Sequence, residues 1–149
     1  ALFGSAEDGN IYRIDPQQNT LTSFAQLTDI ASDLAFSPDG SAIYVAVQYD
    51  RIDRVSNTGV VTSFATGLSA PDGLAVSADG TRLYVADYAD GVGLTAYPLP
   101  SGTPVVGPRI QFDGGWYTTG VVVDRSGDIL VKAKDATLEG AALHVVPKF

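Results

Sequence analysis

The segment Ala70-Pro-Asp-Gly-Leu-Ala-Val-Ser-Ala-Asp-Gly-Thr-Arg-Leu-Tyr-Val-Ala-Asp87 reads as two short strands around a tight turn. Leu74 and Val76 alternate with Ala75 and Ser77, as a strand with side chains on opposite faces demands. Ser77-Ala-Asp-Gly80 supplies the turn, because Asp79 can cap a backbone N–H and Gly80 takes a positive φ at little cost. Beyond the turn, Leu83, Val85 and Asp87 fall on one face, and Tyr84, Ala86 and Tyr88 on the other.

Working outward, Leu34-Ala-Phe-Ser-Pro-Asp-Gly-Ser-Ala-Ile-Tyr-Val-Ala46 repeats the pattern 40 residues earlier. A third copy, Val121-Val-Val-Asp-Arg-Ser-Gly-Asp-Ile-Leu-Val131, follows 47 residues after the second with a hairpin one residue shorter. A period of about 40 residues built from short strands is the signature of four-stranded propeller blades. Ile43, Val45 and Val47 repeat the face of Leu83 and Val85, as do Ile129, Val131 and Ala133, so this face is expected to be the packed side of successive blades.

Two further strand-like stretches follow each of the first two hairpins: Arg51–Ser56 and Val60–Ala65, then Leu94–Pro98 and Pro104–Phe112. Leu2–Ala6, Asn10–Asp15 and Leu21–Gln26 read as the last three strands of a preceding blade. Gly120–Asp124, Asp128–Lys134 and Ala142–Pro147 read as the first three of another. The expectation is one all-β domain, a β-propeller portion of about three and a half four-stranded blades, with a complete ring of six or so. The blades fall at approximately 1–30 (incomplete), 31–69, 70–117 and 118–149 (incomplete). Because propellers hide their edges by closing a ring, an open arc is expected to be completed by another chain, either a homo-oligomer partner or the remainder of a cleaved protein, or by residues outside this sequence; the alternative is an unusual closed ring of four blades.

Composition limits the function. The formal charge is −8 and the pI about 4.3, which argues against nucleic acid or an anionic membrane as partner. No apolar run is long enough for a transmembrane helix. There is no cysteine, hence no thiol nucleophile or zinc-thiolate site. Of 17 acids only Glu7 and Glu139 are glutamates, and aspartate suits turns where glutamate suits helices. The alanine start and the acidic, thiol-free composition are those expected of a secreted or periplasmic protein.

The segment 70–87, with its weaker copies at Ser32–Val47 and Thr119–Val131, resembles the propeller superfamily of gluconolactonase and senescence-marker proteins, strictosidine-synthase-like proteins and NHL-repeat proteins. The resemblance covers most of the chain and implies the fold, while members range from lactone hydrolases to protein- and RNA-binding modules. In the gluconolactonase branch it implies a divalent cation at the top of the channel, held by a Glu, an Asn in a Pro-Asn-Gly-like turn and a catalytic Asp in a later blade. Asp72 stands at the Asn position, and Ser32 and Thr119 at the equivalent positions one blade earlier and later.

The candidate metal ligands are Asp72, Asp87, Asp90 and Asp33, because converging oxygens suit Ca²⁺ or another divalent cation. Each has a plainer reading: an Asp in a Pro-Asp-Gly turn can bond neighbouring amides, and Asp87 ends a buried face. The candidate ligand-binding residues are Trp116, Tyr117, Tyr88, Tyr49 and Thr119, since aromatic rings at a channel mouth can stack on a sugar or cover a small molecule. Gly91-Val-Gly-Leu-Thr-Ala96 fits a dinucleotide pattern only on paper, because Pro98 and Pro100 forbid the helix it requires. His144, the one histidine, lies in a strand away from the top face, and Lys132 and Lys134 are read as solvated. Three functions stay open: a scaffold or binding module with a ligand site on its top face, a metal-dependent lactone hydrolase, and a sugar-binding oligomeric propeller.

Overall fold

The computed structural model describes residues 2–87, 93–100, 109–110, 117–134 and 141–146, with backbone alone at 109–110, 117, 141–144 and 146. Fourteen strands run β1 (Leu2–Ser5), β2 (Asn10–Asp15), β3 (Thr20–Gln26), β4 (Ala31–Phe36), β5 (Ala42–Val47), β6 (Arg51–Ser56), β7 (Val61–Thr66), β8 (Pro71–Val76), β9 (Arg82–Asp87), β10 (Leu94–Pro98), β11 (Arg109–Ile110), β12 (Tyr117–Val123), β13 (Ile129–Lys134) and β14 (Ala141–Val146). They form four antiparallel sheets in sequence order: sheet I (β1–β3), sheet II (β4–β7), sheet III (β8–β11) and sheet IV (β12–β14). Three, four, four and three strands make the blade portion that the repeat implies.

The hairpins between β4 and β5 and between β8 and β9 are built alike. Gly40 and Gly80 both lie at φ +70, where a side chain would be strained. Their amides donate to the carbonyls of Ser37 and Ser77 at 2.9 Å. Asp39 and Asp79 each accept the N–H two residues on, from Ser41 at 3.0 Å and Thr81 at 3.1 Å. The shorter hairpin of sheet IV uses Gly127 N–H to Asp124 O in the same way.

Three apolar layers hold the sheets together. Ile11 and Ala25 meet Ile43, Val45 and Val47 between sheets I and II. Tyr44, Ala46 and Phe64 meet Leu74, Leu83 and Val85 between II and III. Tyr84, Ala86 and Leu94 meet Val121, Ile129 and Val131 between III and IV. One expectation is corrected here. The alternating face of Ile43 and Leu83 is packed as foreseen, but so is the opposite face, because each inner sheet has a neighbour on both sides. Tyr44 and Tyr84 are therefore as buried as the residues between them. With fully buried side chains contributing about 1.5–3 kcal/mol each, these layers supply the main cohesion of the arc.

Each innermost strand carries an irregularity at one repeat position. The pairing of β4 with β5 skips between Ala31 and Asp33, that of β8 with β9 between Pro71 and Gly73, and that of β12 with β13 between Thr118 and Gly120. The residue left unpaired is Ser32, Asp72 or Thr119. A bulge re-aims a side chain and bends its strand, so these three residues are set apart from the blade ladders at the end where the chain enters each innermost strand.

Candidate functional site at the channel rim

Asp72 begins from a local surprise. Pro71-Asp72-Gly73 is not a turn: it is the start of β8, and Asp72 is its bulge residue. Its carboxylate accepts no hydrogen bond from any described residue, whereas those of Asp15, Asp39 and Asp124 cap nearby backbone. Burial, and after it the charge of Asp33, raises its pKa above the usual carboxylate value, while Lys132 and Lys134 pull it down. A partly buried carboxylate without a donor is costly to hold charged, and such groups cluster at functional sites.

Asp33 and Asp87 are differently placed. Asp33 accepts its neighbour Leu34 N–H at 2.8 Å and, across the joint between sheets, Leu74 N–H at 2.8 Å. Asp87, 4% exposed, accepts Ser69 N–H at 3.0 Å and Ala70 N–H at 2.8 Å. It thereby fixes the loop that delivers Asp72. All four oxygens of these two aspartates are engaged by backbone, the plainer of the readings weighed for them.

Ser32, Gln48, Tyr49, Ala70, Pro71 and Asp72 line a cavity of about 350 Å³ beside this rim. Gln48 Oε1 faces burial with no hydrogen-bond partner among the described residues. Tyr49 follows it with a φ of 89, strained for a residue with a side chain, and its side chain is largely exposed. Thr119 is partly buried, and its Oγ1 likewise lacks a partner among the described residues. Its neighbour Thr118 is fully buried and donates to Asp87 O at 2.5 Å, tying sheet IV to sheet III. Asp90, Tyr88 and Trp116 lie outside the described residues, as does the Gly91-Val-Gly segment; Tyr117 and His144 are described in backbone only, in β12 and β14.

The sequence reading missed Gln48, Thr118 and the glycine pair Gly73 and Gly120. A Cβ added to Gly73 would lie 2.6 Å from Gly120 Cα and 2.9 Å from Val121 N. The signal was available: Asp33, Gly73 and Gly120 share one repeat position, and two of the three have no side chain there.

The resemblance implies a divalent cation, so the fit of the residues present matters. Such an ion wants six or so oxygens. Among the described residues no three His, Cys, Asp or Glu come together. Asp33 and Asp87 are spent on backbone, Ser32 and Thr119 are neutral, and two lysines influence the one open carboxylate. The described residues do not fit the ion.

Sheets of antiparallel strands stacked face to face in sequence order, with bulged innermost strands at one rim, define a portion of a β-propeller. The chain belongs to the SMP-30/gluconolactonase/LRE-like family, whose model matches residues 2–91. No curated protein matches it in sequence. Among solved structures it is similar to regucalcin of Agrobacterium tumefaciens, described as a calcium-binding protein, at 25% identity and a TM-score of 0.66, covering 95% of this chain and 56% of that one. It is also similar to a protein assigned by family as a gluconolactonase, at 18% identity and a TM-score of 0.78, covering 97% and 56%. An auxiliary nutrient binding protein of Bacteroides thetaiotaomicron matches at 14% identity and a TM-score of 0.68, covering 96% and 38%. The latter two carry the fold alone. The chain spans little more than half the length of the regucalcin it matches.

Proposed function

We propose that this chain is the ligand-presenting part of a propeller binding module, with its site at the rim cavity beside Asp72. The observation that carries this reading is the Asp72 carboxylate: half-buried, raised in pKa, and without a donor among the described residues. Gln48, which also lines the cavity, carries a second acceptor without a partner among the described residues, its buried Oε1. Two acceptors beside the accessible Tyr49 side chain suit a small molecule that presents N–H or O–H donors and a flat or apolar face.

A hydrolase of the lactone class is the weaker reading for these residues, because the described part of the rim offers one free carboxylate, its neighbour Asp33 being held by the amides of Leu34 and Leu74. The two are told apart by assaying lactone hydrolysis beside equilibrium binding of the same compounds, with and without added Ca²⁺. Binding without turnover, weakened by Asp72→Asn, supports the module. Turnover that needs Ca²⁺ and is lost in Asp72→Asn overturns it in favour of the enzyme.

A further inference from the structure

The rim cavity is one-sided in charge. Among the described residues its wall carries a single ionisable acid, the partly buried Asp72, beside Ser32, Gln48, Tyr49, Ala70 and Pro71. A second carboxylate stands behind it, since Asp33 Oδ2 accepts Leu74 N–H, two residues beyond Asp72 in β8. No described basic residue lines the cavity. Arg51, two positions after Tyr49, is turned to other partners, with Nε 3.2 Å from Asp53 Oδ2 and Nη2 2.6 Å from Thr28 Oγ1. Lys132 and Lys134 alternate with Val131, which packs against sheet III, and with the fully buried Ala133, so their side chains leave β13 on the opposite face. The rest of the wall is the exposed Tyr49 side chain and the apolar surface of Ala70 and Pro71.

We propose that this cavity selects a small organic cation, a primary ammonium carried on a flat or aromatic body, over neutral molecules of the same shape. The inference rests on the rim-site reading and adds the charge of its ligand. An ammonium supplies the N–H donors that the Asp72 carboxylate lacks, and a charge-assisted bond is roughly twice as strong as a neutral one. It meets the field of two carboxylates, with no described guanidinium or ammonium competing for them at the wall. The Tyr49 ring offers a face to the cation or to its aromatic body. One ammonium is satisfied by one carboxylate and a neighbouring acceptor, whereas a divalent ion wants about six oxygens, which the described rim does not assemble.

The test is calorimetric titration of the full chain with benzylammonium chloride and, in parallel, with benzyl alcohol, a chelator being present throughout. Benzylammonium is expected to bind saturably and at least about tenfold more tightly than the alcohol, the margin of a hydrogen bond to a charged group. Asp72→Asn should remove that preference, and added salt should weaken the ammonium but not the alcohol. Ser32→Asp, which adds a carboxylate to the same wall, should tighten the ammonium severalfold and leave the alcohol unmoved; a misfolded variant could not show this gain. A parent that binds both compounds equally, each weakened by Asp72→Asn, would overturn the inference and leave the rim site standing. A parent that does not bind benzylammonium, or a Ser32→Asp variant that gains nothing, would overturn it too. Failure of the rim reading itself shows separately, as binding of both compounds that is indifferent to Asp72→Asn.

Discussion

Gly73 and Gly120 touch through their backbones: a methyl group on Gly73 would sit 2.6 Å from Gly120 Cα. This contact sets the spacing of sheets III and IV at the channel rim, next to Asp72. Its counterpart between sheets II and III is the reach of Asp33 Oδ2 to Leu74 N–H. At this repeat position the joint between II and III is thus bridged by a side chain, while between III and IV the backbones meet directly, beside the Thr118–Asp87 bond.

Gly73→Ala should therefore destabilise the fold by about 1–3 kcal/mol, the range for overpacking a well-packed site. Gly120→Ala should be far milder, because its Cβ would meet only the Lys132 stem at 3.8 Å. Urea unfolding of the two variants checks the asymmetry, and equal losses would show that the contact is looser than described.

Asp87→Ala should also be costly. It leaves Ser69 and Ala70 N–H without their acceptor, and hydrogen bonds to charged groups contribute about 1.5–3 kcal/mol each. Amide hydrogen exchange at Ser69 and Ala70 should speed up in the variant before other amides do. Unchanged exchange there would remove Asp87 from its role as the anchor of the Asp72 loop.

Asp72 gives a pH signature of opposite sign to a paired carboxylate. Its folded pKa is raised, so the folded state holds the proton more tightly than the unfolded chain. Its contribution is most favourable below the unfolded value and is lost as pH rises through the folded one. Asp72→Asn, neutral throughout, should be as stable as the parent near pH 3 and equal or more stable near pH 7. Equilibrium unfolding at the two pH values reads this directly; a variant less stable near pH 7 would mean that the carboxylate has a donor.

The outward faces of the two end sheets carry matching apolar rows. Leu2, Ile14 and Leu21 are cross-strand neighbours on sheet I, as are Val122, Leu130 and Val145 on sheet IV. Leu21 and Val145 are 65% and 66% exposed. In the 149-residue chain, Leu21→Asp or Val145→Asp should change stability by no more than about 0.5 kcal/mol and lower the fluorescence of an apolar-surface dye. A large loss of stability would show that these rows are packed.

Much of this was legible in the sequence, for reasons that differ by residue. The hairpin turns were, because Gly40 and Gly80 follow an aspartate at the same offset in the first two copies, a pairing that favours a tight turn. Strand count and order followed from the period, and the alternation of Ile43, Val45 and Val47 located the sheet-to-sheet layers. The second buried face was missed, because Tyr44 and Ala46 carry a hydroxyl or little bulk and do not announce a core by hydrophobicity. The bulges were hidden as well: Pro-Asp-Gly has the composition of a turn, and what makes it a strand is its pairing with Ala86 and Asp87, 13 to 16 residues away. Asp72 was singled out from its motif, but its lack of a donor was not readable, since that depends on Asp33 and Asp87 taking the nearby amides.

The account turns on Asp72 as the centre of a ligand site. The most direct measurement is the melting temperature of the parent and of Asp72→Asn across a panel of small polyols, sugars, amides and their charged analogues. The prediction is a class of compound that raises the melting temperature of the parent in a saturable way and leaves Asp72→Asn unmoved, with Ca²⁺ making no difference. Stabilisation equal in both proteins, or none by any compound in either, would contradict a site at this rim.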